Sequence, residues 1–174
     1  TQRIPLLYLS GTPGGDGSPV VIDFEHGAFQ DIALNPSSAV ANVVAVEFPD
    51  NIPPNVLSAS INYTDGTLTL EADEYIDSTP TDLVNLSLMQ ISDVAEDRSV
   101  PLDGAEVVSY DGEILTLFLT ENQRALALAI SGVPGGNSNA AFLDIRPGSL
   151  TDITGGNRIT DLTSKALVEA PDVQ

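Results

Sequence analysis

The sequence has 174 residues, 42% of them hydrophobic and 5% aromatic, and it contains no cysteine. Its 25 acidic and six basic residues give a net charge of −19, which repels phosphate backbones and anionic lipid headgroups, so neither nucleic acid nor a membrane surface is an expected partner. The lack of cysteine excludes disulfides, thiol chemistry and cysteine-bound metal, and no apolar run is long enough for membrane insertion.

The first fifty residues share their pattern with the last fifty. Gly-rich segments occupy residues 10–15 and 131–136, which lie 121 positions apart, and the offset becomes 122 from Asn35 and its counterpart Asn157 onward. Further positions keep these offsets, namely Asp23 and Asp144, Gly27 and Gly148, Asp31 and Asp152, and Glu47 and Glu169. The agreement in turns, strands and spacing predicts a tandem repeat of about 121–122 residues.

This repeat divides the chain into two parts. Residues 1–50 are predicted to be the C-terminal part of a preceding repeat, and residues 51–174 to be a complete repeat plus the start of the next linker. The joint between them, residues 48–54, contains three prolines, so we expect it to be short and stiff. We also expect the chain to come from a longer array of such repeats.

The complete repeat shows the apolar–polar alternation that is typical of β-strands. Strands are predicted at 57–63, 68–72, 86–88, 115–119 and 141–145. Asp65-Gly66 predicts a hairpin turn, and the strand at 115–119 is apolar on both faces, which indicates a central strand. Thr120 to Gln123 predicts one capped helical turn. About seven strands would form an antiparallel sandwich, with a core drawn from Leu57, Ile61, Leu70, Leu86, Leu117 and Leu143.

Both ends of the complete repeat resemble the ends of tandem bacterial-type Ig-like domains, which occur in large extracellular surface, adhesin or fibre proteins. The tail, residues 143–157, has that family's closing strand followed by a Gly, an Asp and a Gly-Asn turn, and the start has Pro53-Pro54, a first strand, and then Asp65-Gly66 and Leu68-Thr69-Leu70. Family members usually continue with Phe-Ser-Glu, which this sequence lacks. The resemblance implies an all-β fold, an Ig-like antiparallel β-sandwich, at the cell surface or outside the cell.

The sequence offers little for catalysis, and we do not expect an enzyme. His26 is the only histidine, its counterpart in the repeat is Pro147, and no Gly-x-Ser-x-Gly motif accompanies it. The Gly-rich segments lack the Gly-Lys-Ser/Thr ending of a phosphate-binding loop. They are therefore predicted to be loops in which glycine supplies positive φ angles.

Carboxylates are the candidate metal ligands, because calcium prefers several oxygen ligands. No Asp-x-Asp-x-Asp-Gly loop occurs, but acidic residues follow the second strand and others lie in the joint. The predicted calcium ligands are Glu47, Asp50, Asn51, Asp73, Glu74 and Asp77. The alternative is a solvated acidic surface, and a turn-stabilising role explains the recurrence of Asp31 and Asp152 equally well.

Two triplets have the sequence of N-glycosylation acceptors. They begin at Asn62 and at Asn85, and each has a hydroxyl residue two positions later. Asn62 lies on the polar face of a predicted strand, beside a turn, which is a position that suits a glycan. Such triplets also arise by chance, and a eukaryotic source would favour their use as glycosylation sites more than another source would.

The leading hypothesis is a non-catalytic structural module, a stalk or fibre repeat of a large surface or appendage protein. The alternatives are an adhesion module that binds a glycan or protein ligand, and an accessory domain of a secreted enzyme. The expected partners are neighbouring repeats of the same protein, in a homopolymeric or fibre assembly. Half a sandwich cannot bury both faces alone, so residues 1–50 are expected to need strands from the preceding sequence or from a neighbouring subunit.

Overall fold

A computed structural model describes residues 3–94, 97–154 and 156–173. The chain divides into two compact units, with unit 1 ending at Asn51 and unit 2 beginning at Ile52. Among the described residues, none of the helices is long and apolar enough to cross a lipid bilayer. The described structure is mostly β-sheet, so the predicted all-β class is confirmed.

The described residues of unit 1 form a short helix and one β-hairpin. The helix α1 spans Arg3–Tyr8, and the antiparallel strands β1 and β2 span Val21–Phe24 and Val40–Val44. Most residues of β1 and every residue of β2 are exposed. The hairpin therefore carries apolar side chains that no described part of unit 1 covers.

The described residues of unit 2 form eight strands and one longer helix. The strands are β3 Val56–Asn62, β4 Thr67–Ile76, β5 Met89–Asp93, β6 Ser99–Pro101, β7 Glu106–Val107, β8 Gly112–Phe118, β9 Ala141–Ile145 and β10 Thr163–Ala170. The helix α2 spans Glu121–Ala129, and two short 3-10 turns span Thr81–Leu83 and Leu86–Leu88. The Asp65-Gly66 turn joins β3 to β4 as predicted, with Gly66 at a φ of 74°.

The eight strands form one curled sheet in the order β6-β5-β9-β10-β3-β4-β8-β7. All neighbours are antiparallel except β10 and β3, which run parallel. Buried apolar side chains come from both halves of the curl, and those with almost no exposed surface include Ile61, Leu68, Leu70, Ile91, Leu117, Leu143 and Ile145. Each such side chain stabilises the fold by about 1.5–3 kcal/mol relative to an exposed one, so this core is the main stabilising feature of unit 2.

One predicted core residue, Leu57, lies outside the core with 52% of its surface exposed. The cause is a register shift in β3: Val56 pairs with Ala72, but Ser58 pairs with Glu71. Leu57 is the extra residue of this β-bulge, which turns its side chain away from the face that Ala59 and Ile61 occupy. Strict alternation from Leu57 was therefore the wrong assumption.

Two other strand predictions also differ from the structure. The strand at 115–119 is next to the edge strand β7 rather than central, and Ile114 and Phe118 on its outer face are exposed. Residues 86–88 form a 3-10 turn, and the strand begins only at Met89. Leu86 nevertheless packs against the core, as predicted.

The helix α2 is longer than the single turn predicted, but its start is where the sequence placed it. The Thr120 side chain accepts a hydrogen bond from the Gln123 amide, and the Gln123 side chain accepts one from the Thr120 amide. This reciprocal capping box satisfies two amides of the first turn. The Gln123 side chain is also buried and donates to the carbonyl oxygens of Pro101 and Asp103, which fixes the helix against the loop after β6.

Candidate functional site

Each unit closes its Gly-rich loop with a glutamate from the end of its hairpin. Glu47 accepts a hydrogen bond from the Gly11 amide at 3.0 Å, and Glu169 accepts one from the Gly132 amide at 3.2 Å. Glu47 also accepts a hydrogen bond of 2.7 Å from the Val20 amide. A carboxylate that accepts backbone amides gives stronger hydrogen bonds than a neutral acceptor, so these glutamates fix the loops in place.

The glycines of these loops are required by the backbone geometry. Gly14 and Gly135 have φ angles of 92° and 101°, in the left-handed region that favours glycine. A Cβ atom on Gly15 or Gly136 would collide with the carbonyl oxygen of the serine that opens the loop. The prediction that these segments are loops with glycine at positive φ is confirmed.

The hairpins of the two units share two equivalent strand pairs. The pairs in unit 1 and unit 2, respectively, are Val21–Val44 and Phe142–Ala166, followed by Ile22–Val43 and Leu143–Lys165. These pairs differ by 121 positions in the first strand and 122 in the second. The change of offset therefore falls in the connection between the two strands and leaves these two pairs unaltered. Beyond them the register of unit 1 shifts: Phe24 pairs with Val40, whereas its counterpart Ile145 pairs with Thr163, which corresponds to Ala41.

The recurring aspartates Asp31 and Asp152 make the same contacts in the two units. Asp31 accepts hydrogen bonds from the Asn35 backbone and side-chain amides, at 2.9 and 3.0 Å. Asp152 accepts the equivalent bonds from Asn157, at 3.3 and 2.8 Å. The Asn35 side chain lowers the pKa of Asp31. The geometry of both residues is that of turn-stabilising aspartates.

Two of the predicted ligands of unit 1, Glu47 and Asn51, make local hydrogen bonds. Asn51 is exposed, and the third predicted ligand, Asp50, is half-buried. The Asn51 side chain donates a hydrogen bond of 3.3 Å to the Pro49 carbonyl oxygen. Within unit 1, the Glu47 carboxylate therefore accepts hydrogen bonds from the backbone of the Gly-rich loop.

The predicted ligands of unit 2 separate into two places. Asp73 accepts a hydrogen bond of 2.7 Å from the Asn55 amide and thereby holds the start of β3. A carboxylate oxygen of Glu74, in contrast, lies within 4.8 Å of one from Asp152. Asp152 is buried and Glu74 is half-buried. Two acidic side chains from β4 and from the loop after β9 therefore lie close together.

Asp77 and Asp111 flank this pair, because Ile76 pairs with Gly112 and bridges to Asp152. We call Glu74, Asp77, Asp111 and Asp152 the acidic group. Burial raises the pKa of Asp77, and the charges of Asp111 and Asp152 raise it further. Asp111 accepts hydrogen bonds from the Ser78 amide and the Thr79 hydroxyl, at 2.9 and 2.7 Å. The acidic group concentrates negative charge in the kind of oxygen-rich surroundings that hard divalent cations prefer.

Nothing in the sequence marks Asp111 as a member of the acidic group, and Asp152 is prominent in the sequence only through its recurrence in the repeat. Both residues come from loops far from β4 in sequence. The pairing of Ile76 with Gly112 brings Asp111 to the end of β4, and the bridge between Ile76 and Asp152 brings Asp152 there. No local pattern in the sequence predicts that approach.

The two glycosylation candidates have different surroundings. Asn62 is half-buried; its side-chain nitrogen donates to Asp65 at 3.0 Å, and its oxygen accepts from the Thr64 amide. Asn85 is exposed, and its side-chain oxygen accepts a hydrogen bond of 2.6 Å from the Ser87 hydroxyl. Glycosylation of Asn62 would thus replace a hydrogen bond of the turn, whereas Asn85 lies open to solvent.

His26 lies exposed in a turn after β1. Among the described residues of unit 1, the hydrogen bond that closes this turn runs from the Ala28 amide to the Glu25 carbonyl oxygen. The histidine position thus belongs to a solvent-facing turn, as the Pro147 counterpart would suggest.

A buried tyrosine links the first strand of unit 2 to its last. Tyr63 is fully buried, and its hydroxyl donates a hydrogen bond of 2.8 Å to Glu169. Burial, together with the Glu169 carboxylate, raises the pKa of Tyr63 well above its ordinary value. Glu169 therefore connects the Gly132 loop, β10 and the end of β3.

Arg124 connects the helix α2 to the ends of the neighbouring strands β3 and β10. Its guanidinium donates to the Tyr63 carbonyl oxygen at 2.6 Å, to Asp172 at 2.9 Å and to Glu121 at 2.7 Å. The hydrogen bonds from Arg124 lower the pKa of Glu121. The only sequence signal for this residue was the recurrence of Gln-Arg at 2–3 and 123–124.

Comparisons with known proteins give structural similarity only. No protein-family model matches the sequence, and no curated protein matches it. The N-terminal part of the bacterial S-layer protein SbsC is 15% identical, with a TM-score of 0.46 over 68% of this chain and 24% of that chain. The S-layer protein rSbsC(31-844) is 15% identical, with a TM-score of 0.48 over 70% of this chain and 14% of that chain.

A structure of SbsC domains 1-6 is 14% identical to the chain, with a TM-score of 0.45 over 67% of this chain and 14% of that one. The chain thus spans 14 to 24% of the length of these three proteins.

Proposed function

We propose that the protein is a non-catalytic structural module of an extracellular or cell-surface protein, built from tandem Ig-like repeats of about 121–122 residues. One observation carries the proposal: the glutamate of each hairpin accepts a hydrogen bond from the loop glycine at the same position, and the two hairpins share two strand pairs. A unit that recurs with its contacts intact suits a stalk or fibre, in which each repeat contacts its neighbours.

The chemistry of the described residues supports a structural rather than a catalytic role. The carboxylates that contact the Gly-rich loops bind backbone amides, and His26 faces solvent in a turn. The strongly negative charge favours a solvated surface and disfavours aggregation. In an array of such modules, equal charges would keep neighbouring filaments apart.

Microscopy of the cells that make the protein tests this proposal. Antibodies raised against unit 2 should label the outside of unpermeabilised cells, and electron microscopy of the labelled material should show filaments or a surface array with a regular repeat. Antibodies against a cytosolic protein provide the control. Label that appears only after permeabilisation would contradict the proposal.

We further propose that the acidic group of unit 2 binds calcium weakly. Glu74 and Asp77 were predicted as ligands, and the proximity of Asp111 and Asp152 supports that role. Calcium that binds only the folded state raises the melting temperature by mass action. Melting with calcium and with chelator, at constant ionic strength, should show a rise over the millimolar range of weak extracellular sites.

The matched variants decide whether the acidic group is responsible. Glu74→Gln with Asp77→Asn should abolish the calcium shift, whereas Asp82→Asn with Glu113→Gln, both exposed, removes the same charge and should keep it. Equal shifts in the two double variants would sink the proposal and leave the acidic residues as a solvated surface.

A further inference from the structure

Unit 1 exposes apolar side chains whose counterparts in unit 2 are buried. Ile22 is 42% exposed, whereas Leu143 at the corresponding position has no exposed surface. Phe29 is 58% exposed, whereas its counterpart Leu150 has none. Because the equivalent side chains of unit 2 belong to its core, these side chains of unit 1 suit the interior of a larger unit.

The two strands of unit 1 also lack the neighbours that their counterparts have. In unit 2, β9 lies between β10 and β5, and β10 lies between β9 and β3. Among the described residues of unit 1, β1 and β2 form a two-stranded sheet with each other alone. Each therefore presents one edge on which another strand can pair.

We propose that the β1–β2 hairpin is the docking surface for the front half of a module, a segment equivalent to residues 52–122. The strand equivalent to β5 would pair antiparallel with β1, as Ile91 pairs with Leu143. The strand equivalent to β3 would run parallel to β2, as Ala59 lies beside Leu167. This inference rests on the repeat relationship in the proposed function and is independent of the location outside the cell.

The contacts in unit 2 indicate that this front half belongs to the polypeptide of unit 1 rather than to a second copy of the chain. In the described structure, β3 already pairs with β4 and β10, and β5 pairs with β6 and β9. A second copy could lend these strands only by unfolding its own unit 2. A front half joined to unit 1 in the same polypeptide would dock without the unfolding of another unit 2. It would also have a high effective concentration at the hairpin.

Glu47 gives the docking surface a specific polar contact. Its counterpart Glu169 binds the loop glycine and also accepts the hydroxyl of Tyr63. Glu47 binds its loop glycine in the same way. The docked segment should therefore carry a tyrosine equivalent to Tyr63, with its hydroxyl donated to Glu47.

The test adds a copy of residues 52–122 directly before Gln2 of the full chain and measures amide hydrogen exchange. In the chain without the addition, the amides of β1 and β2 should exchange quickly, since no strand covers their outer edges. In the extended chain, their exchange should slow by on the order of a hundredfold, towards the rates of β9 and β10. Ile61→Asp with Leu70→Asp in the added copy should abolish this protection.

A crosslink keeps the proposal testable if the extended chain is poorly stable. The chain has no cysteine, so Asp23→Cys can be paired with Gln90→Cys in the added copy, because Gln90 pairs with Asp144, the counterpart of Asp23. Oxidation should join this pair and should not join the control pair, Ser18→Cys with the same Gln90→Cys.

Three results would overturn the proposal. They are unprotected β1 and β2 amides in a folded extended chain, equal crosslinking of the two cysteine pairs, and self-association of the unextended chain that protects β1 and β2. The last would identify a second copy as the occupant. None of them bears on labelling at the cell surface, so this inference and the proposed location can fail separately.

Discussion

At the scale of single residues, unit 2 depends on a few polar contacts, among them that of the buried Tyr63, which connect distant parts of the chain. Glu169 receives both the Tyr63 hydroxyl and the Gly132 amide, and Arg124 ties α2 to Asp172. Buried polar groups stabilise a fold only while their hydrogen bonds are complete. Substitutions at these positions should therefore lower the free energy of unfolding by more than their change in size implies.

We predict that Tyr63→Phe destabilises unit 2. The variant keeps the ring but removes the hydroxyl from Glu169, and a hydrogen bond to a charged group is worth about 1.5–3 kcal/mol. Urea unfolding should show a lower midpoint with an unchanged slope. Tyr110→Phe is the control, because Tyr110 is 85% exposed; equal stability of Tyr63→Phe and the wild type would contradict the prediction.

We predict that Asp77→Asn raises the melting temperature near pH 7 in the presence of chelator. The pKa of Asp77 is raised in the folded state by burial and by neighbouring carboxylates. The folded protein therefore binds this proton more tightly than the unfolded one, and stability is lost as pH rises through the folded pKa. Asparagine does not ionise, so the Asp77→Asn variant does not lose this stability as the pH rises.

The pH dependence separates this effect from a general change of charge. Below the ordinary aspartate range the wild-type Asp77 is also neutral, so the advantage of Asp77→Asn should disappear there. Asp82→Asn, which removes an exposed carboxylate, should show no such pH-dependent gain. An advantage for Asp77→Asn that persists unchanged in acid would refute the assignment.

At the scale of elements, the most constrained segments are the two Gly-rich loops. Each leads from a helix into the first strand of a hairpin, and each folds back on the carbonyl oxygen of its opening serine: the Gly17 amide donates to Ser10 and the Ser138 amide to Ser131, both at 3.1 Å. These loops determine where β1 and β9 begin. Their backbone leaves no room for a side chain at Gly15 or Gly136.

We predict that Gly136→Ala destabilises unit 2 by at least about 1–3 kcal/mol, because the added methyl group would overlap backbone and force the loop to shift. Gly156→Ala is the matched control, since a Cβ there meets nothing within 4 Å. Thermal melting of the two variants gives the comparison. A Gly136→Ala protein as stable as Gly156→Ala would show that the loop relaxes freely.

At the scale of the whole molecule, the net charge of −19 opposes folding through self-repulsion. We predict that the melting temperature rises as sodium chloride increases from about 10 mM to about 150 mM, where the Debye length falls from about 30 to about 8 Å. The double variant Glu113→Gln with Asp82→Asn should show a smaller rise. A melting temperature that falls with added salt would indicate that ion pairs outweigh repulsion.

The sequence predicted where the strands lie better than it predicted which of their residues face the core. Alternation located the cores of β3, β4, β8 and β9, and Thr120 and Gln123 located the start of α2. Leu57 was misassigned because a bulge adds one residue to β3, and the bulge is opposite Glu71 and Ala72, on another strand. The alternation of apolar and polar residues describes one strand at a time. It therefore cannot predict a bulge, which arises from the pairing of two strands.

By itself, the sequence determined the all-β class, the recurrence at 121 and 122 positions, and the loops that need glycine. Each is encoded locally, in side-chain alternation or in backbone conformations that glycine favours. Only the tertiary structure decided that β10 lies parallel to β3, that Glu74 approaches Asp152, and that β1 and β2 expose the apolar side chains that unit 2 buries. These features depend on contacts between residues far apart in the chain. Such contacts stabilise the fold without producing a periodic pattern in the sequence of either segment that makes them.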